Sequence, residues 1–393
     1  MAIKVNHDVW DNVGMSGIRV IMEKVRGLKA QGVDICGFTA GEPDFDTPED
    51  IKQETIKALN DNHTHYTSNR GFLGLREAVS RLHEEKSGVK YDPETEVLIT
   101  TGGAEAINNA FATSIERGSE VIIFSPAFMN YENMVIALGA IPVKICLKKE
   151  NDFQINMEEV RQAVTDKTTH IIINNPCNPT GAVYSKELLQ ELCNLALEKD
   201  ITIISDEIYS ELTYDGKEFY SISQFEGMKD QCIIVNGFSK GYAMTGWRLG
   251  YVLAPKYVID VMVKPHQYST TSGVTFIQEG TAKGMDTPGT KQAMKAMKEE
   301  FAARRDLICG LLDGIPKLSY TKPQGAFYIM VDVSKTGYTG KEFADALLEK
   351  KNCAVIPAIV LGEECVNFIR LSFAVSRENI EKGMARIKEF VEE

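Results

Sequence analysis

Five short runs of consecutive apolar, mostly β-branched residues mark the middle of the chain. They are Val97-Leu98-Ile99-Thr100, Glu120-Val121-Ile122-Ile123-Phe124, His170-Ile171-Ile172-Ile173, Ile201-Thr202-Ile203-Ile204 and Cys232-Ile233-Ile234-Val235. A strand with one wet face alternates apolar and polar residues. These runs do not alternate, so each needs cover on both faces. Parallel pairing meets that need, because every crossover lays a helix on the sheet. The segments between the runs have helical periodicity, as in Ser185 to Lys199 with Leu188, Leu189, Leu192, Leu195 and Ala196 along one side. The expectation is an α/β fold with a mostly parallel sheet flanked by helices.

At 393 residues the chain exceeds the usual size of one compact core, so two subdomains are expected. Thr47-Pro48-Glu49-Asp50 reads as a helix start, with Thr47 as N-cap, Pro48 at the first helical position and acids in the first turn. Beyond the sheet the rhythm changes. Lys291 to Leu312 reads as a long helix, Phe327 to Val331 as a strand and Lys341 to Lys350 as a helix. Phe368 to Phe373 comes next as a strand, and Arg377 to Val391 as a closing helix capped by Ser376. These elements predict a smaller α+β domain. The expected division is an N-terminal segment 1–45 packing with the small domain, a large domain 46–285 and a small domain 286–393.

Composition narrows the function classes. A net charge of -12 leaves no basic stripe for nucleic acid or anionic lipid. No run of about 18 apolar residues occurs, which excludes a transmembrane helix, and the first residues lack the apolar stretch of a leader. The eight cysteines show no Cys-x-x-Cys spacing and read as reduced cytoplasmic thiols. The six histidines form no His-x-x-x-His pattern, and no metal site is expected.

In an open α/β sheet the chemistry gathers at the carboxyl ends of the strands. The first run leads into Thr101-Gly102-Gly103-Ala104-Glu105, a glycine pair opening a helix whose free N–H groups suit a phosphate. The second leads to Ser125-Pro126-Ala127-Phe128, a ring able to stack on a flat cofactor or simply to fill the core. The third leads to Asn174-Asn175-Pro176-Cys177-Asn178-Pro179-Thr180-Gly181, where two prolines restrain the Asn178 amide. The fourth leads to Ser205-Asp206-Glu207-Ile208-Tyr209; an aspartate at the end of a buried strand requires a cation or donors, or else serves as a helix cap. The fifth leads to Lys240 in Gly237-Phe238-Ser239-Lys240-Gly241-Tyr242-Ala243-Met244-Thr245-Gly246-Trp247-Arg248-Leu249-Gly250. An amine there, with a hydroxyl beside it and an arginine further on, suggests a carbonyl-binding lysine next to a phosphate pocket.

Phosphate groups, stacking ring, amide, acid, phenol and lysine are what pyridoxal phosphate requires. The motifs Asn175-Pro176-x-Asn178-Pro179-Thr180-Gly181, Ser205-Asp206-Glu207-x-Tyr209 and Ser239-Lys240-x-x-x-Met244-x-Gly246-x-Arg248-x-Gly250 resemble the fold-type I, class I/II aminotransferases. Gly41-Glu42-Pro43-Asp44-Phe45, Tyr66-x-x-x-x-Gly71, Gly325-Ala326-Phe327-Tyr328 and Arg370-Leu371-Ser372-Phe373 extend the resemblance from about residue 15 to the end, with every motif in family order.

The resemblance implies a role for each position. Lys240 would form the Schiff base with the cofactor and then carry a proton between Cα and the cofactor. Asp206 would hold the ring nitrogen protonated, Asn178 and Tyr209 would bond the ring oxygen, and Phe128 would stack on the ring. Ser239, Arg248 and the Gly103–Ala104 backbone would hold the phosphate, joined by Tyr66 from the second subunit of a homodimer. Arg370, with the Gly41 backbone and Asn178, would grip the substrate α-carboxylate.

Gly103-Ala104-Glu105 departs from the pattern, because some aspartate-using relatives carry a lysine where Ala104 stands. The stretch Lys264 to Ser272 also lacks the arginine expected to read a distal carboxylate, which leaves Arg19 as a candidate for that work. The implied activity is transfer of an amino group from an L-amino acid, aspartate first, to a 2-oxo acid such as 2-oxoglutarate. Aromatic amino acids or alanine are the alternative donors. A C–S β-lyase on the same fold is a second class of reading. A transcription regulator with an aminotransferase-like body is a third, disfavoured because only some forty residues precede Glu42.

Overall fold

The structure, a computed structural model, describes residues 6–393. The first five residues, on which the expectation of no apolar leader partly rests, lie outside the described residues. The strands are β1 (Cys36–Gly37), β2 (Val97–Thr100), β3 (Glu120–Ser125), β4 (Ile141–Cys146), β5 (Thr168–Asn174), β6 (Thr202–Asp206) and β7 (Cys232–Gly237). They continue as β8 (Gly250–Leu253), β9 (Ser319–Tyr320), β10 (Tyr328–Asp332), β11 (Cys353–Ala354), β12 (Ile356–Pro357) and β13 (Phe368–Ser372).

The main sheet has seven strands in the order β2-β8-β7-β6-β5-β3-β4. Pairing is parallel from β4 through β7, whereas β8 runs antiparallel to both β7 and β2. All five apolar runs lie in this sheet, and its α/β architecture is the one expected. Two of its strands carry no such run. β4 is an edge strand of mixed exposure that accommodates Pro142, so it never needed a continuous apolar sequence. β8 is four residues long and begins with a glycine.

Both faces of the sheet are dry. Ile171, Ile173, Ile203 and Ile234 pack on one side with Leu189, Leu192 and Leu195 of the helix Lys186–Glu198. Ile172, Ile204, Ile233 and Val235 face the other side, against Ala106, Ala110, Phe111, Ile259 and Met262. Each such isoleucine contributes about 1.5–3 kcal/mol on burial, which is why the runs are unbroken.

The second sheet, β12-β13-β10-β9, is wholly antiparallel. Its core takes Phe301, Ile308 and Leu312 from the helix Pro288–Asp313, and Ile380, Met384 and Ile387 from Arg377–Glu392. β1 pairs in parallel with β11, which brings the N-terminal segment against this second core. Ser185 and Ser376 cap their helices by accepting from Leu188 N and Asn379 N at 3.2 and 3.3 Å. Thr47 does not cap. The helix Glu49–Asn60 starts after Pro48, and the Thr47 hydroxyl donates instead to the Ala243 carbonyl at 2.9 Å. A tertiary partner has outcompeted the local one, tying this segment to the loop after β7. Among the described residues no helix is long and apolar enough to cross a membrane.

Candidate active site

Strand ends β5, β6 and β7 converge with β13 on one cleft. Lys240 lies three residues beyond β7, and its amine donates to the Gly41 carbonyl and stands 5.9 Å from the centre of the Phe327 ring. Burial pulls its pKa down to about 8. Glu42 and Asp206 oppose that shift, while Arg248 and Arg370 add to it. The amine therefore sheds its proton more easily than a solvated lysine.

Asp206 ends β6 and is buried. Its Oδ2 accepts from the Tyr131 hydroxyl at 2.6 Å and its Oδ1 from Ile208 N at 3.1 Å. Burial pushes the carboxyl pKa up, and Tyr131, Ile208 N and Lys240 pull it back. An ionised carboxylate offers about four acceptor positions, so these two bonds leave room for a further donor. Tyr131, on the helix Asn130–Ala137, also packs edge-on against the half-buried Phe128, with ring centres 5.8 Å apart. One phenol thus positions both the acid and the ring.

Sequence reasoning missed Tyr131. No local signal marked it, because Phe128 precedes the helix that carries Tyr131 and its partner Asp206 lies 75 residues away in sequence. It also gave Tyr328 no role, yet the Tyr328 hydroxyl meets that of Tyr209 at 3.1 Å.

Arg370 lies in the middle of β13, paired to Met330 on one side and Ile356 on the other. It is 1% exposed. Its Nη1 donates to Asn178 Oδ1 at 3.0 Å, its guanidinium lies 4.4 Å from the Tyr328 ring centre, and its Nε is buried without a hydrogen-bond partner. Asn178 is held in turn by its own N–H, which donates to Asn174 Oδ1 at 2.8 Å. Among the described residues no carboxylate pairs with this guanidinium. A buried charge left so is destabilising unless an anion arrives from outside.

Next to Lys240 the chain builds a second anion cradle. The helix Gly103–Ser114 has no side-chain cap, so no capping oxygen occupies its first N–H groups. Gly102 precedes it at φ +82°, and a Cβ there would fall 2.5 Å from Arg248 Nη2. Arg248 itself sits at φ +54°, with Nη1 donating to the Thr245 carbonyl at 3.0 Å. Gly250 allows the close approach, since a Cβ on it would lie 2.6 Å from the Gly102 carbonyl carbon. Glu105 secures the turn by accepting from Thr101 N and bonding His266 Nδ1 at 2.8 Å. Ser239, next to Lys240 in sequence, is buried.

The fold therefore brings together Lys240, Asp206, Asn178, Tyr209, Arg370, Gly41 and Phe128, with Gly103, Ala104, Ser239 and Arg248 beside them. It does not bring in Tyr66 or Arg19. Tyr66 is 87% exposed, on a loop pinned beside residues 271–275 by the bonds Thr275 Oγ1 to His65 O and Asn69 Nδ2 to Thr271 O. Arg19 is exposed on the helix Gly17–Ala30.

The chain resembles known proteins over nearly its whole length. The family model described as aminotransferase class I and II matches residues 33–387. The chain is 39% identical to an aspartate aminotransferase of Pyrococcus abyssi, over 98% of each chain. It is also 39% identical to aromatic-amino-acid aminotransferase 2 of Thermococcus litoralis, over 98% of each. Among solved structures, the aspartate aminotransferase from Thermus thermophilus with maleate superposes with a TM-score of 0.94 at 36% identity, covering 98% of this chain and 100% of that one.

Proposed function

Because the chain belongs to the class I and II aminotransferases, we propose that it moves an amino group from an L-amino acid to a 2-oxo acid with pyridoxal 5′-phosphate held in this cleft. The observation that carries the reading is the pair of cations Lys240 and Arg370 sharing the Phe327–Tyr328 wall, with no carboxylate bonded to either among the described residues. Such a site is suited to a molecule that brings its own carboxylate.

When bound, the cofactor supplies a reactive carbonyl and an electron sink that no side chain offers. The Gly103 and Ala104 backbone, Ser239 and Arg248 would hold its phosphate. Asp206 would accept from the ring nitrogen and keep it protonated, and the acceptor capacity left on its carboxylate fits that task. Asn178 and Tyr209 would bond the ring oxygen, and Phe128 would stack on the ring face. Lys240, with its lowered pKa, would take up and return the proton at the substrate Cα. Arg370 would fork onto the α-carboxylate, with Asn178 and the Gly41 backbone completing the grip.

We further propose a large cofactor-binding domain over 46–285 and a small domain over 286–393 joined by 1–45. The molecule would be a cytoplasmic homodimer in which Tyr66 serves the second subunit's phosphate site. The exposure of Tyr66 with Ile56, Leu59, Tyr268 and Val274 supports pairing, and eight free cysteines support a reducing compartment.

Aspartate with 2-oxoglutarate is the proposed pair, its aspartate half in line with the names of several relatives. Aromatic donors are the second reading, favoured by the Thermococcus relative and by the aromatic wall of Tyr209, Phe327 and Tyr328. The test is kcat/KM for aspartate, tyrosine and phenylalanine against 2-oxoglutarate. Aspartate is expected to lead by about tenfold or more, a difference of about 1.4 kcal/mol. The reverse order assigns the aromatic reading, and no turnover of any donor overturns both.

A further inference from the structure

The ladder of β1 and β11 sets Cys36 directly opposite Cys353, and Gly37 opposite Ala354. Opposed residues of neighbouring strands share a face at a spacing of about 4.8 Å. That falls inside the Cα window of about 4.4–6.8 Å that a disulfide tolerates. The ladder is also tight, since a Cβ built on Gly37 would lie 3.3 Å from Ala354 Cβ. Bridged cysteines hold their Cβ atoms about 3.5–4.5 Å apart, so no opening of the strands is needed.

The two thiols are not equivalent. Arg386 reaches Cys36 Sγ with Nη1 at 3.4 Å, and is itself fixed by Asn352 O at 2.8 Å and Asp34 Oδ2 at 2.9 Å. The Cys353 sulfur facing it, with this guanidinium beside it, holds the Cys36 pKa below the ordinary thiol range. Cys353, which faces Cys36 from a deeper position and donates its thiol hydrogen to the Gly383 carbonyl, is pushed up. Arg386 is 21% exposed, so the Cys36 sulfur lies one layer beneath solvent.

We infer that Cys36 and Cys353 form an oxidisable dithiol, a modification site at which a peroxide converts the pair into a disulfide. The Cys36 thiolate attacks one peroxide oxygen; an S–O bond forms, the O–O bond breaks, and hydroxide leaves and takes up a proton. The Cys353 thiol gives up its proton and attacks the resulting sulfenic sulfur, forming the S–S bond as the S–O bond breaks and a second water departs. Two thiols lose two electrons and one peroxide becomes two waters. The bridge would tie the strand that runs on through Phe38 to Gly41, whose carbonyl takes the Lys240 amine. It lies outside the cleft and does not depend on the proposed reaction.

Reduced full-length protein would be treated with hydrogen peroxide while folded, then alkylated under denaturing conditions and mapped by peptide mass. The expected product is a Cys36–Cys353 linked peptide pair that dithiothreitol reverses. It should form about tenfold faster than any other cysteine is oxidised, with a half-maximal rate below the ordinary thiol pKa of about 8.5. In Cys353→Ser, dimedone is expected to trap Cys36 as its sulfenic acid. The proposal is overturned if Cys36 and Cys353 both remain alkylatable while other cysteines oxidise, or if Cys36 links to a different cysteine.

Discussion

Arg370 shows how one buried residue can hold an energetic debt until a ligand arrives. Its charge is enclosed by Tyr328 and Asn178, and its Nε has no partner. A planar guanidinium can present two parallel donors to a carboxylate, whereas an ammonium at the end of a flexible stem cannot. Arg370→Lys should therefore raise KM for every amino donor by about 10- to 100-fold, regardless of the donor's side chain. Steady-state kinetics on two unrelated donors checks this, and a loss confined to one of them would remove the assigned role. Glu207 behaves differently. Burial pushes its pKa up to about 7 from an ordinary 4.5, although Ser221, Ser205 and Ile222 N donate to it and pull the other way. The folded state thus binds an extra proton between about pH 4.5 and pH 7. The resulting contribution to stability is fully present below that window and is lost as pH rises through about 7. Urea midpoints measured from pH 5 to 8 should fall more steeply in the wild type than in Glu207→Gln; a steeper fall in the variant contradicts the assignment.

At the scale of elements, the cleft is a set of strand ends. Lys240, Asp206 and Asn178 each stand at or just past the end of an unbroken apolar run, so their positions were legible from sequence. Such a run, short, rich in β-branched residues and followed by turn residues, reads as a buried strand, and the chain leaving it emerges at the sheet edge. Tyr131 was not legible, because its bond to Asp206 joins residues 75 apart and depends on how a short helix packs. β4 and β8 escaped for a related reason: an edge strand and a four-residue strand do not need the continuous pattern that betrays a central one. Thr47 was misread because its local sequence fits a cap while a carbonyl from a distant loop competes for the hydroxyl. The helix that starts at Gly103 depends on Gly102, which combines φ +82° with the closest approach to Arg248. Gly102→Ala should cost about 1–3 kcal/mol in backbone strain and displace the guanidinium. Its expected effect is weaker retention of pyridoxal phosphate on equilibrium dialysis, by about tenfold. Unchanged retention would show that this cradle does not hold the phosphate.

At the scale of the molecule, two sheets meet at one cleft. The seven-stranded sheet supplies Asp206 and leads into Lys240, and the four-stranded sheet supplies Arg370. The N-terminal segment crosses between them, paired to β11 at Cys36 and offering the Gly41 carbonyl to Lys240. The proposed acid and lysine thus belong to one sheet and the proposed carboxylate clamp to the other, so the relative placement of the two sheets would set how a substrate's Cα meets the lysine. The most direct test of the central claim is the visible absorbance of the purified protein with pyridoxal phosphate, before and after an amino donor is added without acceptor. The wild type should be yellow and should lose that colour as the cofactor passes to its amine form. Lys240→Ala should keep bound cofactor while its turnover falls by about a hundredfold or more. A wild type that stays colourless with excess cofactor, or a Lys240→Ala variant that transaminates undiminished, would contradict the account.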